Sequence, residues 1–158
     1  MNRNQAKIEE IIRQEEELCF DRFGSEDALR LGQILIGLAK EAGVCYVVNI
    51  SLNRRQLFHF SPDGVTPDND NWARRKENTV YHFFRSSYRV TLELEDSGEQ
   101  LCPRFGLSDA DYVAAGGSFP IHVRGAGVVG AVTISGLPQE EDHAFVTKAI
   151  KQYLDSLA

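Results

Sequence analysis

The sequence predicts an α/β fold in which a central antiparallel sheet is covered by helices on both faces. Three observations predict it. Two hairpin signals, at Asn53-Arg54 and at Gly125-Ala126-Gly127, each join a pair of apolar, β-branched runs. Helical periodicity flanks and separates those pairs. A chain of 158 residues is the size of one domain with one core, which suits a single layered sheet.

In chain order, the first segment, roughly residues 4–20, reads as an acidic helix with Ile8, Ile11, Ile12 and Leu18 near one stripe. It forms an N-terminal extension, residues 1–24, to the domain. A second helix begins near Ser25, with Glu26 and Asp27 where the helix dipole favours anions. Its stripe is Leu31, Leu35, Leu38, Ala39 and Ala42, and Gly43 stops it. Residues 44–51 and 56–61 read as strands, closed by Ser61-Pro62-Asp63-Gly64. The Asp68-Asn69-Asp70-Asn71 cluster is placed to cap a middle helix over 72–87. From Tyr88 to Glu95 apolar and polar residues alternate, which argues strand, with continuation of the helix as the alternative. Ser108-Asp109-Ala110-Asp111 resembles a capping box for a short helix ended by Gly116-Gly117. Strands 119–124 and 128–135 follow, then a last helix from Pro138 with Glu140, Glu141 and Asp142 in its first turns. Gly125-x-Gly127-x-x-Gly130 matches a dinucleotide fingerprint but joins two strands, where no helix N-terminus can hold a pyrophosphate.

Composition narrows the function. Seventeen Lys and Arg oppose 23 Asp and Glu, for a net charge of −6, which disfavours nucleic acid as a partner. No run approaches the ~20 apolar residues that a membrane helix needs. Cys19, Cys45 and Cys102 have no CxxC spacing; they fit a reducing, cytoplasmic setting and neither a disulfide framework nor a zinc site.

The middle helix is the most informative element. At ~100° per residue, Trp72, Thr79, Val80, Phe83 and Ser87 share one arc, with Lys76 at its centre. A lysine among core-facing side chains must snorkel, pair with a carboxylate or meet a ligand. From Trp72 to Arg89 there are five cations (Arg74, Arg75, Lys76, Arg85 and Arg89) and one anion, Glu77. Such a patch attracts anions, although a solvated face explains many charge runs. His59, His82, His122 and His143 show no metal-ligand spacing. Ser135, Asp142 and His143 contain triad residue types without a nucleophile elbow.

Ala115-Gly116-Gly117-Ser118-Phe119-Pro120-Ile121, then Gly130-Ala131-Val132-Thr133-Ile134-Ser135-Gly136-Leu137 and Glu141-Asp142-His143, resemble the C-terminal signature of the HbpS-like, GlcG-like "haem-degrading domain" family. Trp72, Arg75-Lys76, Thr79-Val80, Phe83 and Ser86-Ser87 are similar to the middle-helix motif of its uncharacterised bacterial and fungal branch. The resemblance implies a profilin-like three-layer α/β/α fold and a homo-oligomer, and it makes haem a possible cofactor.

The functional expectation is therefore a domain binding a small anionic ligand, haem or another carboxylate-bearing cofactor. Its pocket is expected between the middle helix, the Gly116-Gly117 loop and the start of the last helix. Lys76 pairs with the ligand's carboxylate, Arg75 and Thr79 belong to the same motif, Trp72 and Phe83 supply apolar wall, and Gly117 supplies N–H donors. An enzyme acting on a small molecule would need Asp142 or His143 beside Lys76. An oligomeric interaction protein would use the same patch, with Trp72 as its anchor.

Overall fold

The computed structural model describes residues 2–158 and contains six helices and four strands. Helices α1 (Gln5–Glu17) and α2 (Ser25–Ala42) precede the hairpin β1 (Val47–Leu52) and β2 (Arg55–Phe60). Helices α3 (Pro67–Phe83), α4 (Ser87–Ser97) and α5 (Leu101–Phe105) follow, then the hairpin β3 (Ser118–Val123) and β4 (Gly127–Ser135), and last α6 (Gln139–Leu157). The sheet order is β2-β1-β4-β3, antiparallel throughout.

Register divides the sheet into two chemically different faces. Val48 lies opposite Ile134 and Ile50 opposite Val132, with Phe119 beside Val132. These residues are fully buried against Leu31 and Leu35 of α2 and Val146 and Ile150 of α6. Each contributes roughly 1.5–3 kcal/mol by leaving water. The alternate positions, Asn49, Ser51, Thr133 and Ser135, face α3. The α3 face of the sheet is thus polar, so α3 is held there by hydrogen bonds and one buried ion pair as much as by apolar contact. The β3 edge is covered by Phe20, whose N–H donates to His122 O and whose carbonyl accepts from Arg124 N–H.

Four expectations need correction. Helix α3 starts at Pro67, five residues earlier than the acidic cluster suggested, because Thr66 caps it. Asn69 Oδ1 accepts the Thr66 N–H at 3.0 Å, and the Asp/Asn cluster forms the first turns. Trp72 lies at the edge of the buried arc and is 37% exposed, while Ala73 lies inside it.

Residues 87–97 form a separate helix, so the strand reading of 88–95 is overturned. Phe84, at φ 58°, ends α3, and Ser86 caps α4. Helix α4 has apolar neighbours on two sides: Tyr88 and Leu92 meet Ile11 of α1, while Val90 meets Leu101 and Cys102. Apolar residues on two faces of a helix look like period two in sequence.

The expected helix at 108–115 is absent, and the short helix is Leu101–Phe105, ended by Gly106. The carbonyls of residues 109–113 all accept from α3 side chains instead. Arg75 Nε bonds Asp109 O (3.0 Å), Arg74 Nη2 bonds Ala110 O (2.6 Å) and Asn78 Nδ2 bonds Asp111 O (2.8 Å). Arg75 Nη2 reaches Tyr112 O (3.4 Å) and Thr79 Oγ1 bonds Val113 O (2.8 Å). Gly116-Gly117 accordingly end no helix; they lead straight into β3. Ala42 of the α2 stripe is also exposed, one residue before the Gly43 cap.

Candidate functional site

The structure brings Lys76, Gly117 and Asp142 together, as expected, but closes the space between them. Lys76 is 3% exposed and Asp142 is 0% exposed. The Lys76 ammonium donates to Asp142 Oδ2 at 3.0 Å and to Ile134 O and Ser135 Oγ at 3.3 Å each. Its three N–H donors are therefore all matched within the chain. The other Asp142 oxygen accepts the Leu137 N–H at 3.2 Å, which ties the start of α6 to the end of β4. Desolvation acts on both partners: burial pushes Asp142 up to about 6 and lowers Lys76, against their mutual attraction. Gly117 packs on this pair at φ 134°, and its carbonyl accepts the Ile134 N–H at 2.9 Å. The Gly116 N–H donates to Gln139 Oε1 at 3.0 Å.

His143 is next to Asp142 in sequence but turns away from Lys76. Its Nε2 meets Gln14 Oε1 of α1 at 2.8 Å, so the ring donates there. Its Nδ1 is buried without a partner, near the rings of Tyr88 and Phe119. Burial, with Lys7 adding to it, holds the imidazole at about 4, far below its ordinary 6.5. A histidine with a lowered folded pKa stabilises fully above the unfolded value and loses that contribution as pH falls from 6.5 toward 4. The wild type should therefore lose up to about 3 kcal/mol relative to His143→Leu across that window. Thermal melts of both proteins at pH 7.5, 6, 5 and 4 check this, and a constant gap between them would contradict it.

The charge run on α3 and α4 is largely neutralised within the fold. Arg74 pairs with Asp111 at 2.9 Å, Arg85 with Glu93 at 3.0 Å, Arg89 with Glu15 at 2.7 Å, and Lys76 with Asp142. Arg75 is different: its guanidinium is bound to two main-chain carbonyls and lies 5.0 Å from the Trp72 ring centroid. Its charge is fixed in place, and among the described residues it forms no ion pair. It lines an open cleft of about 660 Å³ between α4, α5 and the 109–114 loop. Leu94, Leu101, Val113 and Ala114 give that cleft apolar wall, and Thr91 and Tyr112 give hydroxyls. Glu95, Glu99 and Asp109 stand at the same cleft, with Glu99 paired to Arg104 at 2.7 Å. Cys102 also lines it, with burial pushing the thiol up to about 11. Thr79 and Phe83 lie behind this region: Thr79 holds Val113 O, and Phe83 packs edge-on to Phe105 at 4.9 Å.

Sequence reasoning missed Tyr112 and a polar cluster on the α3 face of the sheet. That cluster joins Asn49 and Ser51 to Glu77 and Tyr81, and Asn49 to His59. Its signal was present in Val48-Asn49-Ile50-Ser51, where polar side chains alternate with the core residues of a buried strand.

The comparisons with known proteins agree with this fold. The family described as "Haem degrading protein HbpS-like" matches residues 23–151. A UPF0303 protein of Rhizobium meliloti (strain 1021) is 46% identical over 147 residues, covering 93% of this chain and 90% of the relative. One from Rhizobium rhizogenes is 48% identical over 143 residues, covering 90% and 88%. Among solved structures, the Ybr137w protein superposes with a TM-score of 0.85 at 28% identity, covering 92% of this chain and 87% of that one. The PduOC:Heme complex superposes with a TM-score of 0.70 at 18% identity, covering 82% and 93%. HbpS superposes at 0.67 and 18%, covering 84% and 90%, which shows a shared fold. With the family match spanning most of the chain and relatives near half identity along nearly all of it, this protein belongs to the HbpS-like haem-degrading protein family.

Proposed function

We propose that the protein binds a small anionic cofactor, haem or a related tetrapyrrole, in the cleft between α4, α5 and the 109–114 loop. One observation carries the reading: Arg75, alone among the five cations from Trp72 to Arg89, is immobilised at a cleft without a carboxylate partner. A preorganised guanidinium of this kind suits a carboxylate, since little side-chain entropy is lost on binding. The family and a structural neighbour solved with haem support the same ligand class.

Arg75 and the apolar wall fit such a group, while the Glu95 and Asp109 carboxylates at the same cleft oppose an anion. Arg75 would hold a propionate, and Leu94, Leu101, Val113 and Ala114 would meet the macrocycle. The cleft volume lies in the range of small-molecule sites. Tyr112 supplies a phenol, an oxygen ligand type known for haem iron, whereas the Cys102 thiol stays protonated at neutral pH. When bound, haem supplies a redox-active iron; the chain supplies charge pairing, apolar wall and orientation. Trp72 steadies Arg75 from outside, and Thr79 holds the loop that forms one wall. Lys76, Gly117 and Asp142 act one layer below, anchoring α3 and α6 to β4.

Haemin titration followed by absorbance tests the reading. The wild type should give a Soret shift that saturates at one equivalent. Arg75→Ala should bind about tenfold more weakly, the loss expected of one charge-assisted hydrogen bond. Tyr112→Phe should change the Soret position. A gradual, unsaturating change of equal size in all three proteins would overturn the proposal.

A further inference from the structure

The cleft between α4, α5 and the 109–114 loop holds one fixed cation and more negative charge than that cation offsets. Arg75 brings the positive charge, and Glu95, Glu99 and Asp109 bring three carboxylates. Glu99 pairs with Arg104 at 2.7 Å, which cancels it. Glu95 Oε2 accepts from the neutral Asn4 side-chain amide at 3.0 Å, so its charge stays uncompensated. Among the described residues, neither Glu95 nor Asp109 forms an ion pair. Two free carboxylates thus share an apolar-walled cleft of about 660 Å³ with one guanidinium.

The charges come from different walls. Arg75 belongs to α3 and is tied to Asp109 O and Tyr112 O, Glu95 belongs to α4, and Asp109 belongs to the loop. The Asp109 carboxylate acts inside the cleft: after burial, it is what raises the Cys102 thiol, which Arg75 lowers. A ligand bearing carboxylates alone would gain Arg75 and be opposed by both acids. One without a carboxylate would leave Arg75 unused. Complementarity to this set of charges calls for a carboxylate, a positive centre and apolar surface in one molecule. Among tetrapyrroles, a metal-free ring or one holding a divalent metal has a neutral core. A trivalent metal leaves one positive charge on the core, because the ring itself is a dianion.

We infer that Glu95 and Asp109 make the Arg75 cleft selective for a tetrapyrrole with a cationic core, one holding a trivalent metal, over the same ring with a neutral core. The inference rests on the proposed binding of a tetrapyrrole in this cleft and names which charge state it takes. Arg75 holds a propionate, while the two acids act on the core as charges rather than as metal ligands. Both acids are exposed, so solvent and salt screen them. Two exposed charge pairs together favour the cationic core by about 2–30-fold. By linkage, the same acids make bound ferric haem harder to reduce, because reduction removes the core charge that they stabilise.

The test is fluorescence titration with gallium(III) and zinc(II) protoporphyrin at pH 6, where the axial water of the trivalent metal stays protonated. The two rings carry the same propionates and apolar surface and differ in core charge. In Glu95→Gln with Asp109→Asn, the gallium-to-zinc affinity ratio should fall by about 2–30-fold, and zinc binding should not weaken. The Gln side chain can still accept from Asn4, so the change removes charge alone. The fall should persist when Tyr112→Phe is added to both proteins, which takes the phenol away from the metal. It should shrink at high salt, as screened charges do. Melting curves confirm that the double variant folds, and either single variant should give part of the effect. An unchanged ratio, with both rings still binding saturably and still weakened by Arg75→Ala, would overturn the selectivity and leave the cleft as the binding site. Absence of saturable binding for both rings would overturn the two together.

Discussion

Lys76→Met should destabilise the protein by about 3–5 kcal/mol at pH 7, the cost of leaving a buried charge without its partner. Among the described residues Lys76 is the sole cation bonded to Asp142, and both side chains are buried. The methionine fills the same space, so the loss is electrostatic rather than a cavity. Two further measurements separate this from a packing defect. Lys76→Met with Asp142→Leu should recover most of the loss, because apolar replacement of a whole buried pair is often neutral or better. The deficit of the single variant should also shrink in acid. In the wild type burial already holds Asp142 at about 6, above its ordinary value of 3.8. Removing Lys76 raises it further. A carboxyl whose folded pKa is raised binds its proton more tightly in the folded state, so stability falls as pH rises through that window. Urea titrations at pH 5 and pH 7 read both effects, and a deficit equal at the two values, unrelieved in the double variant, would contradict the pair's role.

Gly117→Ala should cost about 2–6 kcal/mol, the sum of backbone strain and overpacking. At φ 134° the backbone lies in a region that side chains rarely adopt. An added Cβ would stand 2.6 Å from Ile134 O and 2.9 Å from Lys76 Nζ. Ile134 O is main chain and cannot swing aside, so β3 would shift against β4 and loosen the bond from Ile134 N–H to Gly117 O. Thermal unfolding of Gly117→Ala against Gly116→Ala is informative. A Cβ at Gly116 also meets a main-chain oxygen, Gln139 O at 2.6 Å, but at an ordinary φ. Gly117→Ala should therefore melt lower, and equal melting temperatures would remove the strain part of the account.

By itself the sequence determined the layered architecture and both hairpins, because strand pairing and helix stripes are written in local periodicity. Val48 and Ile50 against Val132 and Ile134 is a period-two pattern that admits one buried face. Lys76 as a buried, partnered lysine was legible in the same way, from its place among core-facing residues of α3. The sequence also carried the family, through the Gly116-Gly117 stretch and the β4 segment that follow the middle helix. Only the tertiary structure decided what these residues do for one another. Asp142 lies 66 positions from Lys76, and no local pattern announces that their charges cancel. The five cations looked like one anion-attracting patch because partners such as Asp111, Glu93 and Glu15 come from other elements. The 88–95 alternation read as strand because α4 is buried on two sides, by α1 and by the Leu101–Cys102 turn, and burial on two sides erases the 3.6-residue period. The loop at 109–113 lost its helix to Arg74, Arg75, Asn78 and Thr79, which took its carbonyls from a distance in sequence of more than 30 residues. The polar cluster at Tyr81 and Glu77 was hidden for the same reason. Its hydrogen bonds exist only once β1, β2 and α3 meet, because their partners come from three separate elements.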